Sequence, residues 1–478
     1  TIMVWEYNPD PYDTAVTFAT GIGITFNQKI KAGSGNITLR ETNSSGTVVE
    51  NFGIGSSVTI TGNSLSMTPT SSLSENQTYY LELPSGVITN MAGENYVGTA
   101  YTFTSQAYTR KLWTLGVNSG AGSLGINDIV DRSSPVQIPA ITWGYSEGKV
   151  STAQQQSASI KTDGTLWMWG LNSNGELGQN NRTSYSSPVQ LPGTTWDWVS
   201  SGSYATHAIK TDGTLWAWGS NGPGGNGVLG QNQGGTLRVS SPVQIPGTTW
   251  NKVFNSANTT TAIKTDGTLW GWGANNGGML GQNQRGWNPA SGAVGERSSP
   301  TQIGSATDWS TIGMTSNSWT GVKTNGEMWS CGRNDSGECA DGTNVYRSSP
   351  VQVPGTNWLV ARGGYYGHAA ALRTDGTLWS WGYNQHGQCG LNDRTNRNSP
   401  TQVPGTTWSK LAGSNQNMAA IKTDGTWWAW GQNTYGELGQ NNKTRYSSPV
   451  QVGSGTDWVD IFGGISTGGI YLTIEQTS

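Results

Sequence analysis

The apolar residues of this chain fall in short runs that are separated by turn residues. The runs at 159–162 and 166–169 are rich in β-branched and aromatic residues, and Asp163-Gly164 divides them. Such runs predict β-strands, and a two-residue Asp-Gly connection predicts that the two strands form a hairpin. We expect a type I′ turn with positive φ at both Asp163 and Gly164.

This hairpin pattern recurs through most of the chain. Each copy holds a Trp-rich strand that ends in glycine, and these glycines lie 54, 49, 54, 59, 50 and 49 residues apart. They are Gly116, Gly170, Gly219, Gly273, Gly332, Gly382 and Gly431. A period of about fifty residues in a sequence rich in strand and turn formers is typical of a propeller or a solenoid.

The residues after each hairpin predict further strands. Residues 172–178 turn the chain, Ser187-Pro188 begins an extended run, and we expect a fourth strand of the unit around 196–199. Proline removes a hydrogen-bond donor from a sheet and favours extended geometry in the residue before it. The Ser-Pro step is therefore expected in an edge strand or where a strand begins.

The two ends of the repeated region predict closure. The first copy has no hairpin strand before Trp113, and the last copy continues past Trp458 through 460–462 and 469–474. We expect the C-terminal strands to complete the blade that Trp113 begins. The result would be an all-β, seven-bladed β-propeller over residues 107–478, without a long exposed edge.

One copy reads Ala-Ala-Ile-Lys-Thr-Asp-Gly from Ala419, Trp-Ala-Trp-Gly-Gln-Asn from Trp428 and Gly-Glu-Leu-Gly from Gly436. It resembles the repeat of the regulator-of-chromosome-condensation (RCC1-like) family, and the resemblance spans nearly all of residues 107–478. Copies in that family often carry His before an Ala-Leu pair, and here His368 alone keeps that form. The resemblance implies a propeller but transfers no single member's function.

Residues 1–106 differ in composition and hold one of the 24 tryptophans. Six short alternating runs lie at 22–26, 37–39, 57–60, 65–67, 79–83 and 100–104. Six strands with turns between them predict a small β-sandwich. The segments 73–80 and 92–95 resemble parts of the bacterial Ig-like domain of surface-layer and adhesin proteins. This resemblance implies an Ig-like domain at 1–106 and an extracellular location.

The low charge of the chain limits the kinds of partner that it can bind. Charged residues make up 12% of the chain, and the net charge is −3. The chain thus lacks the basic face of a nucleic-acid-binding protein and the polybasic patch that binds anionic lipid. No run approaches the roughly 20 apolar residues of a membrane span. We expect no nucleic-acid partner and no direct membrane insertion. Without an initial Met or a signal-peptide pattern, we expect a processed chain or a piece of a longer one.

Candidate catalytic residues are few. His207, His368 and His386 occupy three different repeat positions without a nucleophile motif beside them, so structural roles are favoured. The recurring aspartates, such as Asp163, are accounted for by their turns, and the loop at 172–176 lacks the ligand pattern of a calcium loop. We predict no catalytic residue, no metal site, no cofactor and no enzymatic activity.

Three cysteines are too few for a disulfide framework. Cys339 and Cys389 stand where another copy has Leu177, and Cys331 stands where Trp169 does, which favours small apolar packing residues. A Cys331–Cys339 bridge within one blade is the alternative, and spacing alone does not decide it.

Most tryptophans form two columns that recur from repeat to repeat, which favours packing between blades over sugar-binding platforms. The columns are Trp167, Trp216, Trp270, Trp329, Trp379 and Trp428, and Trp196, Trp250, Trp309, Trp358, Trp408 and Trp458. Trp287 breaks this pattern. It lies in one of two insertions, at 223–237 and 285–297, that we expect on the same face. We predict Arg285, Trp287 and Arg297 as partner-binding residues, because Trp and Arg are favoured at interfaces.

Together these features predict a non-enzymatic binding or structural protein outside the cytoplasm. It would be a phage virion component (a capsid decoration, tail fibre or adhesin) or a bacterial surface adhesin, with the virion favoured. Its partner would be a protein of the virion or cell-surface assembly, or a surface glycan. The alternative is a secreted propeller-type inhibitor of an enzyme. A nucleotide-exchange role ranks third, since no residues match a GTPase contact surface.

Overall fold

The computed structural model describes residues 2–8, 21–70, 73–74, 77–105, 109–118, 120–139, 142–144, 146–153, 155–284, 295–464 and 471–477. The chain forms two compact units, Thr1–Thr109 with Thr477–Ser478, and Arg110–Gln476. Within the described residues every regular element is a β-strand. Those residues contain no helix that could span a membrane.

The described part of the first unit has ten strands. They are β1 (Val4–Asn8), β2 (Ile22–Phe26), β3 (Ile30–Ala32), β4 (Asn36–Glu41), β5 (Val48–Gly53), β6 (Thr59–Thr61), β7 (Ser64–Met67), β8 (Thr78–Leu83), β9 (Ile88–Asn90) and β10 (Thr99–Thr104). Two four-stranded sheets have the orders β1-β2-β7-β6 and β10-β8-β4-β5, and β3 pairs with β9.

Alternating burial builds the core of this unit. In β2, Ile22, Ile24 and Phe26 are buried and the residues between them are partly exposed; β8 has the same pattern. Alternate residues of a strand point to opposite faces, so each sheet buries one face. The six predicted strands correspond to β2, β4, β6, β7, β8 and β10. The sequence pattern misses β1, β3, β5 and β9. The strands β3 and β9 have only three residues each, and β5 buries only Phe52.

The strands of the second unit are short and similar from repeat to repeat. They are β11 (Thr109–Gly116), β12 (Arg132–Gln137), β13 (Val150–Thr152), β14 (Gln156–Ile160), β15 (Leu166–Gly170), β16 (Tyr185–Leu191), β17 (Trp196–Ser201), β18 (Ala205–Lys210), β19 (Leu215–Ser220), β20 (Arg238–Ile245), β21 (Trp250–Asn255), β22 (Thr259–Lys264), β23 (Leu269–Gly273), β24 (Arg297–Gln302), β25 (Trp309–Met314), β26 (Ser318–Lys323), β27 (Met328–Gly332), β28 (Arg347–Val353), β29 (Trp358–Gly363), β30 (His368–Arg373), β31 (Leu378–Gly382), β32 (Arg397–Gln402), β33 (Trp408–Gly413), β34 (Asn417–Lys422), β35 (Trp427–Gly431), β36 (Tyr446–Gln451), β37 (Trp458–Gly463) and β38 (Tyr471–Thr477).

These strands form repeated four-stranded sheets, as in a propeller. Sheets of four consecutive strands run from β13-β14-β15-β16 to β33-β34-β35-β36, and one further sheet has the order β12-β11-β38-β37. The first strands of successive sheets contact each other, and β37 contacts both β33 and β13. The sheet β12-β11-β38-β37 therefore combines strands from the two ends of the unit.

The expected assignment of the fourth strand is wrong. Trp196 lies in β17, which pairs with β18 and so begins the next sheet. The fourth strand of the earlier sheet is β16, which contains Pro188 and lies at the sheet edge. An edge suits proline because the ladder loses no hydrogen bond there.

The turn type expected for Asp163-Gly164 is also wrong. Gly164 has φ +77°, but Asp163 is not among the residues with positive φ. The amide of Lys161 donates to Thr165 O at 2.9 Å, and the amide of Gly164 donates to Lys161 O at 3.0 Å. The loop thus has three residues, with a type I turn followed by a left-handed glycine. Asp163 Oδ1 instead accepts hydrogen bonds from the amide and hydroxyl of Thr165, at 3.0 and 2.6 Å.

In most repeats a lysine or arginine side chain lies between two tryptophan rings. Lys264 Nζ lies 4.0 Å from the ring centroid of Trp270 and 4.9 Å from that of Trp250. Trp250 belongs to the same buried cluster as Ile209 and Leu215 of the preceding sheet. The same arrangement recurs for Lys161 with Trp143 and Trp167, Lys210 with Trp196 and Trp216, Lys323 with Trp309 and Trp329, Arg373 with Trp358 and Trp379, and Lys422 with Trp408 and Trp428. The tryptophan columns are therefore structural.

Candidate functional site

The loops between the first and second strands and between the third and fourth strands lie at the same end of each sheet. We call this the loop end. A recurring hydrogen bond holds the two loops of a sheet together, because the residue after the third strand donates its amide to the preceding loop. Arg333 N donates to Asn317 O at 2.9 Å, and Tyr383 N donates to Gly367 O at 3.1 Å. The side chains of Arg333 and Tyr383 are thereby placed beside those loops.

Two adjacent sheets form an open pocket of about 450 Å³ at the loop end. Its lining comprises Thr315, Ser316, Asn317, Ser318, Arg333, Ser336, Glu338, Tyr365, Tyr366, Gly367 and Tyr383, which we call the tyrosine pocket. The ring centroids of Tyr365 and Tyr366 are 5.4 Å apart, and those of Tyr366 and Tyr383 are 6.4 Å apart at an interplanar angle of 32°. Tyr366 is 46% exposed. Burial, together with Tyr366 and Tyr204 nearby, raises the pKa of Tyr365.

A second cavity of about 200 Å³ shares Asn317 and Arg333 with the tyrosine pocket. Asp335 Oδ2 accepts hydrogen bonds from Arg333 Nε at 2.6 Å and from the hydroxyl of Tyr346 at 2.7 Å. Asn276 Nδ2 donates to Asn317 Oδ1 at 3.2 Å. We call the tyrosine pocket and this second cavity together the groove. The groove therefore has an ordered polar lining in which Asp335 compensates the charge of Arg333.

The tyrosine pocket is formed where the repeat departs from its own pattern. The loop at 364–367, between β29 and β30, has four residues, whereas the corresponding loops at 202–204, 256–258, 315–317 and 414–416 have three. Two of the four are Tyr365 and Tyr366. The repeat pattern alone did not predict this site, although the extra residue of the loop at 364–367 was a signal of it in the sequence.

The residue that follows the glycine at the end of the third strand also differs between repeats. Arg333 and Tyr383 occupy it beside the pocket, whereas other repeats have Leu171, Ser220 or Ala274. Because the recurring backbone hydrogen bond fixes this position next to the loop, its side chain sets the chemistry of the loop end.

The buried glutamates near the loop end have a structural role. Glu338 Oε2 accepts the amide of Ser336 at 2.8 Å, and Glu437 Oε2 accepts that of Tyr435 at the same distance. Burial raises the pKa of Glu338 and raises that of Glu437 to about 7. The recurrence of this contact shows that it shapes the loops.

A cavity of about 120 Å³ lies between the first strands of the sheets, including β17, β21, β25, β29, β33 and β37. Its lining includes Glu147 and Arg362. Arg362 Nη2 donates to Glu147 Oε1 at 2.7 Å, and Lys252 Nζ lies 3.4 Å from Glu147 Oε2. Burial would raise the pKa of Glu147, but Arg362 and Lys252 lower it below its ordinary value. Internal ion pairs therefore satisfy this carboxylate.

The predicted partner-binding residues are only partly described. Arg285 and Trp287 lie outside the described residues. Arg297 begins β24, where Nη1 donates to Glu296 O at 3.1 Å and Nη2 donates to Gln284 Oε1 at 3.3 Å. Arginine also begins the strands β12, β20, β28 and β32. Arg297 thus occupies a recurring position of the repeat and is half-buried there.

The histidines are engaged by the fold. Burial lowers the pKa of His207 to about 3 and that of His368 to about 4. Nε2 of His368 lies 3.2 Å from Asn417 O. His386 Nδ1 accepts a hydrogen bond from Arg445 Nη1 at 3.0 Å. Two of the three histidines are therefore neutral and inaccessible at physiological pH.

Cys331, Cys339 and Cys389 are free and buried. Burial raises the pKa of all three thiols, to about 12 for Cys339 and Cys389. The thiols are thus protonated and poor nucleophiles. Across the described ranges, no three His, Cys, Asp or Glu side chains are grouped so that they could hold a metal ion.

Comparison with known families confirms both resemblances seen in the sequence. Residues 111–470 match the family model of the RCC1-like domain. Residues 3–105 match that of the bacterial Ig-like domain.

Solved structures share the fold at low sequence identity. Human WBSCR16 has a TM-score of 0.64 and 18% identity, with 77% of this chain and 99% of that chain covered. Yeast RCC1 (Prp20), solved with Kap60 bound to it, has a TM-score of 0.62 and 15% identity, with 78% and 90% covered. Among curated proteins, the X-linked retinitis pigmentosa GTPase regulator of Canis lupus familiaris is 35% identical over 81 residues. That segment is 17% of this chain and 8% of the dog protein.

Proposed function

Because this chain belongs to the RCC1-like domain family through residues 111–470, we propose that it is a non-enzymatic binding or structural protein, displayed on a phage virion or a bacterial cell surface. The bacterial Ig-like domain at 3–105 supports a surface or extracellular location. Yeast RCC1, which shares the fold, was solved with the protein Kap60 bound to it, and this supports a binding role. The partner would be a protein or a surface glycan of the virion or cell-surface assembly.

The observation that carries the proposal is the tyrosine pocket at the loop end. It is concave, open and lined by three tyrosines together with polar side chains. Tyrosine supplies a large, rigid contact area with a polar tip, which suits recognition. The non-enzymatic part is supported by the histidines and cysteines, whose burial removes His207, His368 and the three thiols from contact with a substrate.

We also propose that the repeated sheets close into a seven-bladed propeller. Support comes from the sheet β12-β11-β38-β37 and from the contacts of β37 with β33 and β13. Closure would leave no long unpaired edge. A chain ending at residue 470 lacks β38 and should melt well below the full chain, whereas removal of Ser478 alone should have no effect. Equal melting temperatures for the two truncations would contradict closure.

Fractionation of the native source tests the proposed function. Mass spectrometry of each fraction would show whether the intact chain sediments with virions or cell envelope, or stays in the soluble medium. Sedimentation with particles or envelope is the expected result. A chain found entirely in the soluble medium would contradict surface display.

A secreted protein inhibitor is the second candidate, and the concave aromatic pocket favours it. An inhibitor of this kind would be soluble and would form a 1:1 complex with its target enzyme. Size-exclusion chromatography of the soluble medium, with mass spectrometry of the fractions, would detect such a complex. Its presence together with absence from particles would replace the first proposal.

A further inference from the structure

The tyrosine pocket combines three features that the propeller repeat does not require. These are the four-residue loop with Tyr365 and Tyr366, the ring of Tyr383, and the polar groove around Arg333 and Asn317. We propose that the tyrosine pocket and the adjoining cavity bind a neutral oligosaccharide. This inference rests on the proposed binding function and names the class of ligand that the loop end takes.

The size of the groove fits several sugar units. The tyrosine pocket has a volume of about 450 Å³ and the adjoining cavity about 200 Å³, and the two share Asn317 and Arg333. Small-molecule sites commonly span about 300–1,000 Å³. Two adjoining cavities suit a chain of rings better than a single compact molecule.

The aromatic side chains fit the apolar faces of pyranose rings. Such a ring presents C–H groups on its faces and hydroxyls around its edge, so one aromatic ring can cover a face while polar groups meet the edge. Tyr366 and Tyr383 lie 6.4 Å apart with their planes only 32° from parallel, and Tyr366 is 46% exposed. Both tyrosines are therefore placed to contact neighbouring sugar units with little loss of conformational entropy.

The polar lining fits uncharged hydroxyls. Amides such as Asn276 and Asn317 both donate and accept hydrogen bonds, as a hydroxyl requires. Arg333 is held by Asp335 at 2.6 Å, so its charge is already compensated. The carboxylate of Asp335 beside Arg333 lowers the attraction of this site for an acidic sugar. The arrangement therefore favours a neutral saccharide over a charged one.

The composition of the groove also argues against an amphipathic peptide helix as its occupant. The residues described as lining the two cavities include no Leu, Ile, Val or Met. In contrast, the cavity between the first strands of the sheets is lined by Val253, Ile312 and Leu411 among others. An amphipathic peptide helix that docks into a groove requires a hydrophobic lining for its apolar face. The groove offers tyrosine rings and hydrogen-bonding groups instead.

Glycan binding by the full chain tests this inference. The protein would be applied to an array of immobilised neutral and acidic bacterial oligosaccharides, and the affinity of each retained glycan would be measured by titration calorimetry. We expect at least one neutral glycan to bind, and Tyr366→Ala and Tyr383→Ala to weaken that binding at least tenfold. Tyr435→Ala is the matched control, because Tyr435 is similarly exposed, at 42%, but lies outside the tyrosine pocket. Thermal unfolding would verify that each variant is folded.

Several outcomes would overturn the inference. They are retention of no neutral glycan, retention of acidic glycans only, and unchanged affinity in both tyrosine variants. Selection of peptides from a random library whose binding requires Tyr366, without any glycan binding, would assign the groove to a protein partner. A chain that sediments with particles but binds no neutral glycan would keep the proposed function and lose only this inference.

Discussion

Arg362 in β29 donates a hydrogen bond of 2.7 Å from Nη2 to Oε1 of Glu147, which lies 215 positions earlier and precedes β13. The same carboxylate accepts a hydrogen bond from Thr311 Oγ1 at 2.9 Å and lies 3.4 Å from Lys252 Nζ. One side chain therefore links the segment before β13 to β21, β25 and β29. Substitution of Glu147 should therefore remove contacts to several sheets at once.

Glu147→Ala should lower the free energy of unfolding by about 1–3 kcal/mol, because it removes the carboxylate that Arg362 and Lys252 both contact. Urea unfolding measures the change, with Asp457→Ala at an exposed position as the control. The pKa of Glu147 is lowered from 4.5 in the folded protein, so its contribution is present above pH 4.5 and is lost as pH falls through the folded pKa. An unchanged stability at pH 7 would contradict this role.

Asp460 should have the opposite pH dependence. Burial raises its pKa from 3.8 to about 6, with Lys410 Nζ 3.4 Å away acting against that shift. Ionisation of the folded protein above pH 6 therefore costs stability, and that cost disappears as pH falls to the unfolded value of 3.8. Asp460→Asn should stabilise the protein by about 1–3 kcal/mol at pH 8. Urea unfolding at pH 8 and below pH 4 should show the gain only at the higher pH; a gain at both values would contradict the assignment.

Lys264→Met should lower the free energy of unfolding by about 1–2 kcal/mol, because methionine keeps the apolar packing but removes the charge between Trp250 and Trp270. Lys264→Arg should be nearly neutral, since Arg373 fills the corresponding position with its guanidinium carbon 4.3 Å from both ring centroids. Lys443→Met, at an exposed position, is the control for loss of charge. Chemical unfolding measures all three, and equal effects of the Lys264 and Lys443 substitutions would rule out the cation–π contribution.

Gly164→Ala should be more destabilising than Gly304→Ala. Both glycines have positive φ, at +77° and +62°, so each substitution costs about 1 kcal/mol in backbone conformation. A Cβ on Gly164 would also lie 2.3 Å from Thr194 O, whereas one on Gly304 would meet nothing within 4 Å. The difference in melting temperature between the two variants isolates the steric contribution. Equal melting temperatures would show that the loop at Thr194 moves freely.

Local chemistry made part of this protein predictable. The Trp-rich strands, the glycines that end them and the hairpins between them follow from residue preferences that act over a few positions. The turn at Asp163 was assigned to the wrong type because Asp-Gly suits two kinds of hairpin loop. The choice between them depends on the hydrogen bond between Lys161 and Thr165, which belongs to the folded pair of strands.

The candidate site was less predictable. Trp287 and Arg297 were predicted to bind a partner because Trp287 lies outside the two tryptophan columns, in an insertion that ends at Arg297. In the structure, Arg297 occupies a position that recurs in the repeat. The tyrosine pocket was missed because Asn317, Arg333, Tyr366 and Tyr383 come from separate loops that are unremarkable one at a time. Their common location depends on how two adjacent sheets pack.

The sequence by itself determined the all-β class, the repeated strand pattern and the family resemblances, because strand preference, turn preference and period are all visible along one dimension. Only the tertiary structure decided that Glu147 meets Arg362 and that three tyrosines share a pocket with Arg333. The physical reason is that these contacts join residues of different repeats. Their distances are set by the packing of one sheet against the next, and no local preference encodes that packing.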